Sequence, residues 1–264
     1  MTQLPPALYE PADGAFRPTG LTRGPWNPEY QHAGPPAALL AHVAERAGSI
    51  RPAQAARLSF DILRPVPIVP LTVRTRMLKP GRRVELVEAE LAAAGGEEPL
   101  MRATVWRIRA EAVEAPAVEP ERGPPPGPEH GHEGSFGFWP DEVSYHRALD
   151  WRFVDGAFDA PGPATVWTRM RVPLVLGEEP TPLERLLVMA DAASGVSSVL
   201  DWDEWTFVNV DLGVHLSRPP AGEWMAMAAE TRVGGEGAAI CRSELFDASG
   251  LVGLSTQSLL VAPR

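Results

Sequence analysis

Three polar residues stand where the surrounding pattern calls for something inert: Asp191, Asn209 and Gln257. Asp191 follows Leu183, Leu186, Leu187 and Ala190, which recur at helical spacing, and it falls on the border of their apolar stripe. A carboxylate there must be paired, hydrogen-bonded or used, because burying it alone is costly. Gln257 lies mid-strand among apolar residues, where an unpaired amide is expensive. Asn209 belongs to Val208-Asn209-Val210-Asp211-Leu212-Gly213-Val214-His215-Leu216, whose alternation puts Asn209, Asp211 and His215 on one strand face. A carboxylate with two amides suits the handling of a water. Each position also has a plain structural reading. Asp191 can be tied to an arginine or a backbone amide, Gln257 can bond neighbouring backbone, and Asp211 and His215 read as the solvent face of an antiparallel sheet.

The elements that must position these groups are legible. Thr181, Pro182 and Glu184 form a capping-box start to a helix over 181–195. An earlier helix begins near Pro35-Pro36, runs through Leu39, Leu40, Val43 and Ala44, and stops at Gly48. Strand-like stretches follow it at 56–63, 71–78, 83–92 and 99–108. After the second helix they return at 205–217, 224–233, 238–246 and 252–261. An offset of 154 pairs Leu58 with Leu212, Arg64-Pro65 with Arg218-Pro219, Gly81 with Gly235 and Glu90-Leu91 with Glu244-Leu245. Without a gap it also pairs Gly96 with Gly250 and Leu100 with Leu254. Turns and strand ends agreeing in phase indicate a duplicated α+β unit. One copy then serves as a control for the other. Ala44, Ala55 and Ala103 match Asp191, Asn209 and Gln257, so a single competent site is expected, associated with the second helix.

Between the copies, a Pro/Gly-rich stretch at 113–140 reads as an extended linker that separates units 1–112 and 141–264. His130 and His132 within it lack a third ligand nearby and read as solvated side chains, so no metal is expected. The formal charge of −10 argues against a nucleic-acid partner. Cys241 is the sole cysteine, which fits a reducing compartment. Met1-Thr2-Gln3-Leu4-Pro5-Pro6 has no signal-peptide pattern and no apolar run reaches membrane-span length. A soluble, cytoplasmic protein without membrane partners is the expectation.

Several short motifs carry a resemblance. They are the Gln31-His32-Ala33-Gly34-Pro35-Pro36 entry to the first helix, Leu63-Arg64-Pro65, residues 186–191, Asn209-Val210-Asp211, Arg218-Pro219-Pro220, Glu223-Trp224 and Ser255-Thr256-Gln257. In their order and spacing the chain resembles the double-hotdog acyl-CoA thioesterases. That resemblance implies two tandem hotdog modules, each a long helix wrapped by an antiparallel sheet, with acyl-CoA as substrate and no cofactor. It implies a catalytic Asp at Asp191 and a Gln at Gln257. The family's hydroxyl residue falls on Asn209, a departure, since an amide cannot relay a proton as a hydroxyl can. Asp191 would act as base toward a water held by Gln257 and Asn209. His32 and Gly34, from the opposing module, would supply the oxyanion side. Lys79, Arg82 and Arg83 are a solvated basic turn that can also meet coenzyme A phosphates. A homo-oligomer is compatible with all of this.

Two rivals stand beside that reading. One is a non-catalytic acyl- or coenzyme A-binding module, kept open by Asn209. The other is an enoyl-CoA hydratase-type hotdog, suggested by Trp26-Asn27-Pro28-Glu29-Tyr30-Gln31-His32, which lacks the required Asp.

Overall fold

Among the described residues, fourteen strands hydrogen-bond into one sheet, and two helices lie together on one of its faces. The computed structural model describes residues 3–111, 124–139 and 143–264. In the first half come β1 (Tyr9–Ala12), β2 (Ala15–Pro18), helix α1 (Gly34–Arg46), β3 (Ala53–Ile62), β4 (Leu71–Lys79), β5 (Val84–Ala93) and β6 (Pro99–Arg109). In the second come β7 (His132–Glu133), β8 (Leu149–Ala157), β9 (Ala160–Met170), helix α2 (Pro182–Ala190) and the one-turn helix α3 (Ala193–Val196). They are followed by β10 (Trp205–Asn209), β11 (Asp211–Leu216), β12 (Trp224–Val233), β13 (Ala238–Asp247) and β14 (Gly250–Pro263).

The spatial order reads the same outward from its middle. From the β3/β11 seam, one side runs β6, β5, β4 and the other β14, β13, β12. At the seam Leu58 pairs with Val214 and Phe60 with Leu212, antiparallel. The expected α+β composition is present, with the two copies sharing one sheet. Leu39 and Leu40 of α1, Leu186 and Leu187 of α2, and Phe60, Val87 and Val214 of the sheet are fully buried in one core. Alternation along the strands supplies that face, and the helical stripes cover it.

Three local features depart from the sequence-based expectation. The helix expected over 181–195 is broken after Ala190, and Asp191 occupies its C-cap. The strand expected over 205–217 is also broken. Five residues from Asn209 to Gly213 oppose only four from Leu259 to Thr256, so the strand carries a bulge at Val210. The bulge flips the alternation: Asn209 follows buried Phe207 on the inner face, while Asp211 and His215 go to the other. The three do not share a face. Finally, residues 124–139 of the stretch expected as linker are a strap on the second copy. β7 pairs with β8, Trp167 Nε1 donates to the Pro126 carbonyl (2.7 Å), and Phe136 packs on Trp151 and Phe158. Its prolines and glycines concealed three large aromatics, Phe136, Phe138 and Trp139, that have a surface to cover. His130 lies beside Glu129 and His132 beside the Phe153 ring, both exposed. No helix among the described residues is long and apolar enough to cross a membrane.

Candidate active site

The two helices run past each other so that the N-terminus of α1 meets the C-terminus of α2. Gly34 makes that approach possible, because a Cβ there would collide with the Val188 carbonyl oxygen. Pro35 and Pro36 open α1 without needing N–H partners, and Ala33 at its N-cap offers no side-chain cap. Because Pro35 and Pro36 carry no N–H and Ala37 N bonds the Ala33 carbonyl, the Gly34 amide is the first-turn donor left facing the end of α2.

Asp191 occupies that end and is 4% exposed. Its Oδ1 accepts from Asn209 Nδ2 (2.7 Å) and Gln257 Nε2 (3.2 Å). Its Oδ2 lies 3.1 Å from His32 Nδ1. Gln257, 1% exposed, does more than touch the carboxylate. Its Nε2 donates to the Asp191 carbonyl (3.0 Å) and its Oε1 accepts from Ser194 N (3.1 Å). One side chain thus satisfies both backbone groups that the break between α2 and α3 releases. Both of its N–H groups are thus turned to Asp191, and its Oε1 to the break. Asn209 Nδ2 is likewise divided between Asp191 and the Asp211 carbonyl (3.1 Å). That pattern fixes the amide orientation and leaves the Asn209 oxygen as the acceptor.

His32 stacks flat on Tyr145, with ring centroids 3.7 Å apart and planes 3° apart. The Tyr145 hydroxyl donates to the Val188 carbonyl (2.6 Å), which anchors the stack to α2. Burial lowers the His32 pKa, and the Asp191 charge opposes that only in part, so the ring is neutral at pH 7. Burial likewise raises the Tyr145 pKa, with Asp191 adding to it, which keeps the phenol protonated. Gly34 N lies 3.2 Å from the same His32 Nδ1. A neutral imidazole cannot both accept from Gly34 and donate to Asp191 through one nitrogen. When Nδ1–H points to Asp191, the Gly34 amide has lost its acceptor and is open to a ligand.

Most of these groups border a cavity of about 330 Å³ between the two halves and the strap, with Gly34 one residue beyond its Ala33 edge. Asp191, Asn209, His32 and Ala33 line it; Gln257 stands behind. Lys79, Arg82 and Arg83 do not reach it. Asn27 of the hydratase-like run spends its Oδ1 on Glu29 N (2.8 Å) in a tight turn. Tyr145, Ser194 and the cavity's aromatic wall were not singled out from the sequence. The density of aromatics in 136–158 was the available signal.

A model of the acyl-CoA thioesterase N-terminal domain matches residues 22–108, and one of the C-terminal domain matches residues 115–261. The chain belongs to the acyl-CoA thioesterase family. It is thus a thioesterase, and the family implies an acyl-CoA substrate. Acyl-CoA thioesterase II TesB2 of Mycobacterium marinum has a similar fold (TM-score 0.65, 19% identity, 88% of this chain and 90% of that one). A Thermobifida fusca YX protein assigned as a thioesterase II superposes at TM-score 0.72 with 19% identity, covering 95% of this chain and 93% of that one. A hot dog fold protein from Alicyclobacillus acidocaldarius gives TM-score 0.72 at 15% identity, covering 96% and 95%. No curated protein matches the sequence. The thioesterase therefore shares its hotdog architecture with chains of low sequence identity.

Register between the copies sharpens the pairing of site positions. Ala55 opposes Arg107 just before a bulge, as Asn209 opposes Leu259 before its own, so Ala55 is the counterpart of Asn209. Phe246 pairs with Leu251 where Ala92 pairs with Pro99, so the connection beyond that pair is two residues shorter in the second half. Beyond it the offset is 152, and Gln257, opposite Cys241, matches Val105, opposite Val87. The gapless comparison that pointed to Ala103 fails at that turn. The polar-for-apolar asymmetry survives.

Proposed function

We propose that the chain is a double hotdog, with an N-terminal module 1–112, a connecting segment 113–140 and a C-terminal module 141–264. In this reading one site at the α1/α2 junction hydrolyses an acyl-CoA thioester to the free acid and coenzyme A. The observation that carries it is the buried Asp191 carboxylate, clamped on Oδ1 by Asn209 and Gln257, with Oδ2 turned toward His32 and the open N-terminus of α1.

Asp191 takes a proton from a water that donates to it and to the Asn209 oxygen. The hydroxide equivalent attacks the thioester carbon. Negative charge gathers on the carbonyl oxygen, where the Gly34 amide and the positive end of α1 stabilise it. Collapse of the tetrahedral intermediate expels coenzyme A as thiolate, and the Asp191 proton passes to it. Asn209 needs only to accept and donate hydrogen bonds in this scheme, so the missing hydroxyl is tolerated. Gln257 holds Asp191 and the helix break in place. His32 fixes Oδ2 and, by its tautomer, frees the Gly34 amide.

Free thiol release from acyl-CoA, followed with a thiol reagent, tests this. General-base assistance is typically worth roughly 10²–10⁴-fold, and Asp191→Ala is expected to lose that much with an unchanged far-UV spectrum. Turnover within tenfold of wild type would remove Asp191 from its role.

A further inference from the structure

Nine of the chain's nineteen Phe, Trp and Tyr residues line the one cavity beside Asp191. They come from four separate parts of the chain: Trp26 before α1, Phe136 and Trp139 on the strap, Tyr145, Trp151 and Phe158 around β8, and Trp202 and Phe207 after α3, with Tyr30 as the ninth. Tyr145, Trp151 and Phe158 belong to the hydrophobic core, and Phe136, Trp139 and Trp202 pack against it, so the aromatics gather where the core borders the cavity, while its helix positions are aliphatic. The rings also hold one another. Trp26 stacks on Trp202 (5.2 Å, 26°) and meets Phe207 edge-on (5.0 Å, 86°). Trp202 stacks on Phe158 (5.3 Å, 29°), which leans on Phe136 (4.7 Å).

Rings locked this way form a stiff wall. They present flat faces and edges of opposite partial charge rather than a compliant alkyl lining. A saturated acyl chain gains dispersion and burial from such a wall and nothing more. A ring gains offset-stacking or edge-to-face attraction as well. The volume, about 330 Å³, is at the small end of ligand sites, which suits a compact acyl group better than a long one. We infer that the acyl pocket selects acyl groups bearing an aromatic ring. This inference rests on the thioesterase reading of the Asp191 site and adds to it the substrate class.

Phenylacetyl-CoA and octanoyl-CoA carry the same number of acyl carbons and differ in the ring, so the ratio of their kcat/KM values isolates the ring's contribution. Each added ring contact is worth about threefold to tenfold, and a wild-type ratio of that order in favour of phenylacetyl-CoA is expected. Because the ratio is taken on one enzyme sample, it is independent of how much of a variant is folded. In Trp202→Leu and in Phe207→Leu, which keep an apolar surface and lose the ring, the ratio is expected to fall toward one. A wild-type ratio of one or below overturns the inference, and so does a preference that both variants retain. Failure of wild type to release thiol from either substrate instead overturns the thioesterase reading of the site, and the inference falls with it.

Discussion

The helix pair has two ends, and they are opposites. At the open end, the N-terminus of α1 carries no side-chain cap and the C-terminus of α2 holds a carboxylate. At the closed end, Thr181 and Glu184 cap the N-terminus of α2 with both bonds of a capping box, and the C-terminus of α1 holds a cation. That cation is Arg107, whose Nη1 donates to the carbonyls of Ala44 (3.0 Å), Glu45 (3.2 Å) and Ala47 (3.0 Å). Glu85 balances it at 2.6 Å, and both side chains are almost wholly buried. Glu184 further binds His42 (2.8 Å) and Arg46 (3.5 Å). A positive charge at a helix C-terminus is favourable and a negative one is not. The closed end is thus arranged for stability. The open end carries an unfavourable charge placement, which is consistent with the proposed site.

The comparison can be broken most forcefully at Arg107. Arg107→Leu, the residue at the matching position 259, strands the Glu85 carboxylate in the core and uncaps α1. A loss of about 3–5 kcal/mol in urea unfolding is expected. Adding Glu85→Ala, which copies position 239, removes the stranded charge and is expected to recover most of that loss. If the double variant is as unstable as the single one, the pair is not a self-contained replacement for the site. Specific activity of the folded fraction should be unaffected in both.

Gln257 is the next lever, because it serves the helix break and the carboxylate together. Gln257→Leu leaves the Asp191 carbonyl and the Ser194 amide without partners, at about 1–3 kcal/mol in urea unfolding. It also frees Asp191 to rotate, so kcat should fall further than KM rises. A variant with normal kcat would mean that the glutamine serves the break alone.

How much of this was legible depended on what kind of interaction placed each group. The two helix starts, most of the strand stretches and the repeat follow from periodicity and turn chemistry, which are local and survive in one dimension. Asp191 was visible as an awkward carboxylate on an apolar border. The bulge at Val210 was not, because a single extra residue changes no composition yet turns Asn209 inward. The match of Gln257 to Val105 depends on a turn two residues shorter, which an ungapped comparison overrides. The pairing of His32 with Asp191 required the two halves to be brought together. Pro and Gly made the strap look like a spacer, although its rings close the cavity wall.

A smaller effect is expected from pH. Burial holds the His32 pKa below the ordinary histidine value of about 6.5, with Asp191 as partial opposition. Neutral His32 therefore contributes stability that is fully present above the unfolded-state value and is lost as pH falls through the folded one. Protonation also converts the His32–Asp191 contact into an ion pair that competes for the base. The kcat/KM profile should fall on an acid limb below about 6.5, and His32→Gln, which has no imidazole to protonate, should displace that limb. A limb that does not move in the variant would assign it to another group.

The smallest change is the one that asks whether the amide at 209 is a defect. In Asn209→Thr the hydroxyl can donate to Asp191 Oδ1 and accept from the water, which replaces the catalytic contacts. It cannot at the same time hold the Asp211 carbonyl, so the bulge loses one bond, about 1 kcal/mol. Activity is expected within about tenfold of wild type, a barrier change of roughly 1.4 kcal/mol at most. Asn209→Leu keeps the volume and removes every polar contact, and it should cost far more. If Thr and Leu are equally inactive, the position needs an amide because only an amide reaches both Asp191 and the bulge. If both are fully active, Asn209 is a packing residue, and Asp191 depends on Gln257 and His32 alone.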